Sequence, residues 1–131
     1  MFTLVKINDS GANYTDKQIL KKREDEYIPL GVFLKMKDGV ATVAEKREMP
    51  EFLSTDASPK GSLEIPAIPV TENMLFEAVS VFADDQALLG AAVSLGAVGD
   101  GAGVILDEKG CGRIVSLLPA DKKIHIQFKQ N

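Results

Sequence analysis

Few side chains in this sequence could do acid–base or nucleophilic chemistry. His125 is the only histidine, and imidazole is the ordinary general base near neutral pH. It alternates with Lys123, Gln127 and Lys129, so we interpret it as a satisfied histidine on the solvent face of a strand. Cys111 is the only cysteine, and it lies between two glycines without a neighbouring base that would activate a thiolate. We therefore predict no catalytic residue.

Two loops contain residue types that are found in ligand sites. The glycine-rich run at residues 99–104 looks like a phosphate loop, but a dinucleotide fingerprint needs a following helix and the pattern here predicts a strand. The P-loop pattern fails because no Gly-Lys-Ser/Thr follows. Oxygen-bearing side chains at residues 9–15 suggest a calcium loop, but Leu20 stands where a bidentate glutamate is required. We predict no cofactor and no metal ion.

Composition is that of an ordinary globular domain and limits the partners. The chain has 131 residues, of which 45% are hydrophobic and 26% charged, and a formal net charge of −4. This balance argues against nucleic acid and anionic membranes as general partners, because both attract clustered Lys and Arg. The single cysteine excludes an internal disulfide and a multi-cysteine zinc site. The first residues lack the pattern of a signal peptide, so we expect synthesis in a cytoplasm without signal-peptide secretion.

The first third of the sequence alternates between strand patterns and a charged segment. Residues 2–7 are β-branched and aromatic and predict the first strand. Residues 15–27 have only Ile19 and Leu20 as apolar anchors, so we predict an exposed charged arm or a short helix there. The pair Asp38-Gly39 predicts a tight hairpin, and residues 46–60 predict a polar connection.

The proline-containing stretch at residues 61–81 is the least regular part of the pattern. Pro66 and Pro69 have no N–H donor, so we predict that this strand lies at an edge, a crossover or a strand switch. Turn-forming residues follow at 71–73. Residues 74–82 then predict another strand, although their spacing also allows a helix that begins at Thr71.

The last third predicts a meander of short strands at residues 93–95, 104–106 and 114–117. A final strand follows, in which Ile124, Ile126 and Phe128 face one side. We therefore predict a mainly β, single-domain β-barrel or barrel-like sandwich with a charged N-terminal arm or short helix. Residues 1–27 would form the first strand and the arm, and residues 28–131 the barrel body.

Four segments carry a resemblance to a known class of proteins. They are F-T-L-V-K-I-N, I-P-L-G-V-F-L-K-M-K-D-G-V, I-P-A-I-P-V-T-E-N-M-L-F-E-A-V and G-R-I-V-S-L-L-P-A-D-K-K-I-H-I-Q-F. Together they resemble the small head proteins of tailed bacteriophages and prophages, including capsid decoration proteins. The charged residues 21–26 depart from the shorter connection expected there. The resemblance implies a non-enzymatic β-barrel in the virion head that binds the major capsid protein, often as a homotrimer.

Two segments are the predicted protein contacts under this hypothesis. One is the charged arm, and the other is the proline-containing edge, since unpaired strand edges recruit partner strands. The predicted contact residues are Lys21, Arg23, Ile65, Pro66, Ile68 and Pro69. The alternative function is a small cytoplasmic β-barrel that binds a peptide, a carbohydrate or another ligand. An enzyme would need a deep pocket that joins distant carboxylates, or Cys111, with His125.

Overall fold

The computed structural model describes residues 1–7, 10–11, 17–80, 83, 85–98 and 101–129, and in these ranges the chain is mainly β. The strands form two antiparallel sheets, one of seven and one of five strands. No helix in these ranges is long and apolar enough to span a membrane. The prediction of a mainly β fold is confirmed.

The seven-stranded sheet has the order β10-β9-β11-β12-β8-β1-β2, and the five-stranded sheet has the order β3-β7-β6-β4-β5. The strands are β1 Thr3–Ile7, β2 Ser10–Gly11, β3 Gln18–Lys21, β4 Phe33–Lys37, β5 Val40–Val43, β6 Phe52–Ser54, β7 Glu64–Pro69, β8 Met74–Val79, β9 Ala92–Val98, β10 Gly101–Leu106, β11 Gly112–Leu118 and β12 Lys123–Phe128. Single-turn 3-10 helices lie at Gln86–Leu88 and Pro119–Asp121.

The predicted hairpin at Asp38-Gly39 is confirmed. Both residues have positive φ, 52° and 82°, as a two-residue turn with the twist of the flanking strands requires. The strand predicted at residues 74–82 is confirmed over Met74–Val79, which form β8, so the helix from Thr71 is wrong. Residues 81 and 82 lie outside the described ranges. Within the polar connection predicted at residues 46–60, Phe52–Ser54 forms the short strand β6.

The prediction of an exposed arm or short helix at residues 15–27 is wrong where the structure describes it. Gln18–Lys21 forms β3, which pairs antiparallel with β7 and is an edge strand of the five-stranded sheet. Leu20 turns inward and packs against buried side chains, whereas Ile19 stays exposed. A short isolated helix with few apolar anchors is only marginally stable in water, whereas the strand gains backbone hydrogen bonds by pairing with β7.

Of the three positions predicted for the proline strand, the edge is wrong, because β7 lies between β3 and β6. The chain does change sheets after this strand, since β8 belongs to the seven-stranded sheet. The Pro66 carbonyl accepts from Thr55 N at 3.0 Å, so its ring nitrogen faces β6 just past that strand's last residue. Val70 N donates to Glu51 O at 2.9 Å on the same side. Because successive residues of a strand direct their backbone groups to opposite neighbours, the Pro69 nitrogen faces β3. It lies beyond Gln18 and Ala67, the last described pair between β3 and β7. Each missing donor falls at the end of one ladder, so an internal strand tolerates both prolines.

The three strands predicted in the last third are confirmed, within β9, β10 and β11, but their predicted order as a meander is wrong. β9 and β10 form a hairpin, but β11 pairs with the other side of β9, so β9 lies between them. The connection after β10 crosses close to β9. A Cβ on Gly110 would lie 2.0 Å from the Val93 carbonyl oxygen, so this crossing requires glycine.

The main core lies between the sheets and centres on four phenylalanines. The ring of Phe33 lies 4.4 Å from Phe2, 5.0 Å from Phe76 and 4.9 Å from Phe128, measured between centroids. Ile124, Ile126 and Phe128 are all buried, which confirms the predicted alternation of the last strand.

A second cluster covers the other face of the five-stranded sheet, so alternate residues of β7 enter different cores: Ile65 and Ala67 the second cluster, Ile68 the first. The edge strands of this sheet are β3 and β5, and Lys22, directly after β3, forms a parallel bridge with Ala41 of β5. The sheets do not close into a barrel, so the sandwich-like form of the prediction is the one observed.

Candidate functional site

Two turns lie side by side at one end of the five-stranded sheet, at residues 22–27 and 58–63. Backbone hydrogen bonds join them: Lys22 N to Leu63 O at 2.9 Å and Gly61 N to Glu24 O at 2.7 Å. Ile28 and Ser58 add a reciprocal pair at 2.9 and 2.8 Å. These bonds leave the two turns little freedom to move separately.

The buried side chain of Lys22 holds the same two turns together. The residue is only 2% exposed, and its ammonium donates to Arg23 O at 3.0 Å and Pro59 O at 3.2 Å. It also donates to Glu26 O. Within the described ranges, no carboxylate lies within ion-pair distance of this ammonium. Backbone carbonyls therefore take the place of the water molecules that the ammonium gives up on burial.

Large apolar side chains around these turns face solvent. Ile19 on β3 is 59% exposed, Tyr27 is 53% exposed, and Leu63 is 61% exposed. Exposed charged residues of both signs are their neighbours along the chain: Lys21, Arg23, Glu24, Asp25 and Lys60. Exposed aromatic and aliphatic side chains inside a charged rim are typical of protein interfaces. We call this region the paired-turn surface; it consists of Ile19, Lys21, Arg23, Tyr27, Lys60 and Leu63.

An apolar cleft of about 370 Å³ opens at the seam between the two sheets. Core residues Phe2 and Leu53 are among its lining residues, and so are the exposed side chains of Met1 and Leu30. Lys17 stands at the cleft and forms an exposed ion pair of 2.8 Å with Asp56. The cleft could accept one large apolar side chain or a small ligand.

The structure brings the two predicted contact segments together, but in a different arrangement. Lys21 and Arg23 are exposed, and Lys21 lies directly opposite Glu64 of the proline strand. Ile65 and Ile68, however, are buried, so their side chains cannot meet a partner in the folded chain. Pro66 and Pro69 are half-buried on an internal strand. That Lys21 and Arg23 contact a partner stays a prediction.

Sequence reasoning missed Lys22, Tyr27 and Leu63. Lys22 stands in a run of charged residues, and nothing local marks it as the buried member. Leu63 had a weak signal, since it is an isolated apolar residue in a polar turn stretch.

His125 is half-buried and paired, rather than simply exposed. Its Nε2 lies 3.2 Å from Oε1 of Glu77, whose Oε2 lies 3.2 Å from the Lys123 ammonium. Burial by itself raises the pKa of Glu77, but hydrogen bonds from His125 and Lys123 outweigh it and hold the pKa below its ordinary value. Ser116 lies opposite His125 on β11. Among the described residues, no hydrogen bond joins the side chains of Ser116 and His125. Because His125, Glu77 and Lys123 lie side by side on one face of the sheet, we assign these three residues a structural role.

Where the structure describes them, the other sites considered from the sequence offer no reactive group. The Cys111 thiol donates to Glu48 O at 3.4 Å, and burial raises the pKa of this thiol, which disfavours the nucleophilic thiolate. In the ranges described, no group of three or more His, Cys, Asp or Glu could hold a metal ion. Several residues weighed above lie outside the described ranges: Asp9, Asn13, Thr15, Phe82, Gly99 and Asp100.

Comparison with known proteins finds no matching family model, no matching curated protein and no matching solved structure.

Proposed function

We propose that this chain is a non-enzymatic structural protein of a phage or prophage, of the capsid decoration type, that binds the assembled head lattice. The proposal rests on the resemblance of the four segments described above. The observation that supports it best is the paired-turn surface, with Ile19, Tyr27 and Leu63 each more than half exposed. Its partner would be the major capsid protein, and its destination after synthesis in the bacterial cytoplasm would be the virion head.

The paired-turn surface suits a lattice of repeated sites. Burying one such side chain contributes about 2 kcal/mol, and association itself costs several kcal/mol, so one copy of this contact would be weak. A symmetric shell presents the same site many times, and a homo-oligomer such as a trimer would engage several sites together. A decoration protein that binds the assembled shell better than free subunits stabilises the shell by mass action.

Co-sedimentation with assembled heads of the phage that encodes the chain tests this proposal. The purified protein should pellet with heads and stay in solution without them. Leu63→Asp should weaken binding about tenfold, because a carboxylate would replace an apolar anchor. Leu89→Asp is the matched control, since Leu89 is 53% exposed but follows the first 3-10 helix, away from the paired turns. Wild-type protein that remains in the supernatant with heads would refute the proposal.

The apolar cleft favours the alternative, a small module that binds a peptide or another ligand. Its apolar lining suits a ligand with an apolar part, and Lys17 could bind an anionic group in exchange for its exposed ion pair with Asp56. A thermal-shift screen that found such a ligand, together with a monomer by light scattering, would favour the module over the head protein.

A further inference from the structure

The ammonium of Lys22 has as many N–H donors as there are carbonyl acceptors around it. A lysine ammonium has three N–H donors, and three backbone carbonyls accept from this one. Two of them, Arg23 O and Glu26 O, belong to the first turn, and Pro59 O belongs to the second. One buried side chain therefore ties together two turns that are far apart in the sequence.

The residues next to Lys22 have the opposite orientation. Lys21 and Arg23 are exposed members of the paired-turn surface, whereas Lys22 is buried. Lys22 N also donates to the carbonyl of Leu63, so its backbone positions an apolar member of that surface. Its side chain and its backbone act on both turns at once.

We infer that Lys22 is a positioning residue, whose buried ammonium sets the shape of the paired-turn surface before any partner arrives. The effect on partner binding rests on the proposed function; the effect on the two turns does not. A surface that is already ordered loses less conformational entropy on binding, so Lys22 strengthens binding without touching the partner.

Only an ammonium satisfies this site fully. Methionine would keep the apolar stem but leave the three carbonyls of these partly buried hydrogen bonds without their donor. Arginine would keep the charge, but its planar guanidinium points its donors outward in one plane and cannot converge on the same three acceptors. Arginine should therefore restore the site only in part.

Hydrogen exchange tests the positioning role without any partner. The reporter is the Gly61 amide, which donates to Glu24 O across the two turns. Lys22→Met should speed its exchange about tenfold, because the turns open more often, while amides of β8 and β12 keep their wild-type rates. Lys46→Met is the control, since Lys46 is an exposed lysine in another turn. Unchanged exchange at Gly61 in folded Lys22→Met would overturn the inference.

Lys22→Arg keeps the inference falsifiable if Lys22→Met does not fold. It should give an exchange rate between those of wild type and a fully opened turn, and a rate equal to wild type would overturn the inference. Cleavage by a glutamate-specific protease after Glu24 or Glu26 should rise in parallel, since neither substitution changes those sites.

Co-sedimentation with heads then tests the effect on binding. Lys22→Met should bind about tenfold more weakly than wild type and Lys46→Met, with loss parallel to the opening of the turns. If wild type itself fails to bind heads, the proposed function fails and the exchange result still decides the role of Lys22. If the turns open but binding stays at the wild-type level, Lys22 does not position a contact surface.

Discussion

Arg47 and Asp107 form a two-point contact that joins the two sheets. Arg47 Nε donates to Asp107 Oδ2 at 2.7 Å, and Nη2 donates to Oδ1 at 3.2 Å. Arg47 lies in the connection from β5 to β6, and Asp107 directly follows β10 of the other sheet. Ser94 Oγ and Lys109 N also donate to this carboxylate, which is only 7% exposed. The Asp107 carboxylate therefore accepts hydrogen bonds from three residues, whereas a carboxylate in an exposed ion pair has water as its main partner.

We expect Asp107→Asn to lower the unfolding midpoint clearly at neutral pH. Hydrogen bonds from Arg47 and Ser94 hold the pKa of Asp107 far below its ordinary value. Because the folded pKa is depressed, the stabilisation is fully present above the unfolded pKa, about 3.9, and is lost only as the pH falls toward the folded value. Asp56→Asn is the control, because its ion pair with Lys17 is about half exposed, at 46% and 54%. Thermal unfolding at pH 7 with equal shifts for both variants would contradict this expectation.

Phe33→Ala should destabilise the fold by about 3–5 kcal/mol, because it opens a cavity among three other aromatic rings. Phe52→Ala should cost less, since Phe52 is half-buried and packs against the smaller cluster. Urea unfolding followed by circular dichroism measures both free energies. A smaller loss for Phe33→Ala than for Phe52→Ala would show that the four-ring centre is not the main core.

Gly110→Ala should cost about 2–3 kcal/mol, because its Cβ would collide with the Val93 backbone and push the crossing segment away from β9. Gly90→Ala isolates the effect of backbone conformation. Gly90 has a φ of +86° but nothing within 4 Å of an added Cβ, so only about 1 kcal/mol of strain is expected. Chemical denaturation of both variants compares steric and conformational costs, and a larger loss at Gly90 would be the contrary result.

Glu77→Gln should reduce stability at pH 7 by at most about 1 kcal/mol and flatten the acid limb of the stability curve. The folded pKa of Glu77 lies below its ordinary value, so its contribution is present above the unfolded pKa, about 4.3, and is lost as the pH falls through the folded value. Urea titrations from pH 6 to pH 3 measure the difference. Glu72→Gln, at an exposed turn residue, is the control. Parallel curves for wild type and Glu77→Gln would contradict this expectation.

The sequence predicted those elements whose causes are local. Alternation of Ile124, Ile126 and Phe128 with polar residues predicts β12 because side chains of a strand point to alternate faces. Asp38-Gly39 predicts its hairpin because both residues tolerate positive φ. These rules operate within a few residues, so no knowledge of distant partners was needed.

The candidate site was only partly predictable for the same reason. Lys21 and Arg23 were identified as exposed, but Ile65 and Ile68 were assigned to a surface that the structure buries. The sequence shows correctly that Pro66 and Pro69 lack a backbone N–H donor. It does not say whether that donor would have faced a neighbouring strand or the end of one, which depends on where β3 and β6 stop.

The sequence by itself determined a mainly β chain, its hairpin at Asp38-Gly39 and the inward face of its last strand, because turn chemistry and period-two patterning act locally. Only the tertiary structure decided that β3 is an edge, that β9 lies between β10 and β11, and that Lys22 is the buried lysine among charged neighbours. Burial and strand order depend on which distant segments pair. The three carbonyls around Lys22 come together only after the two turns have met.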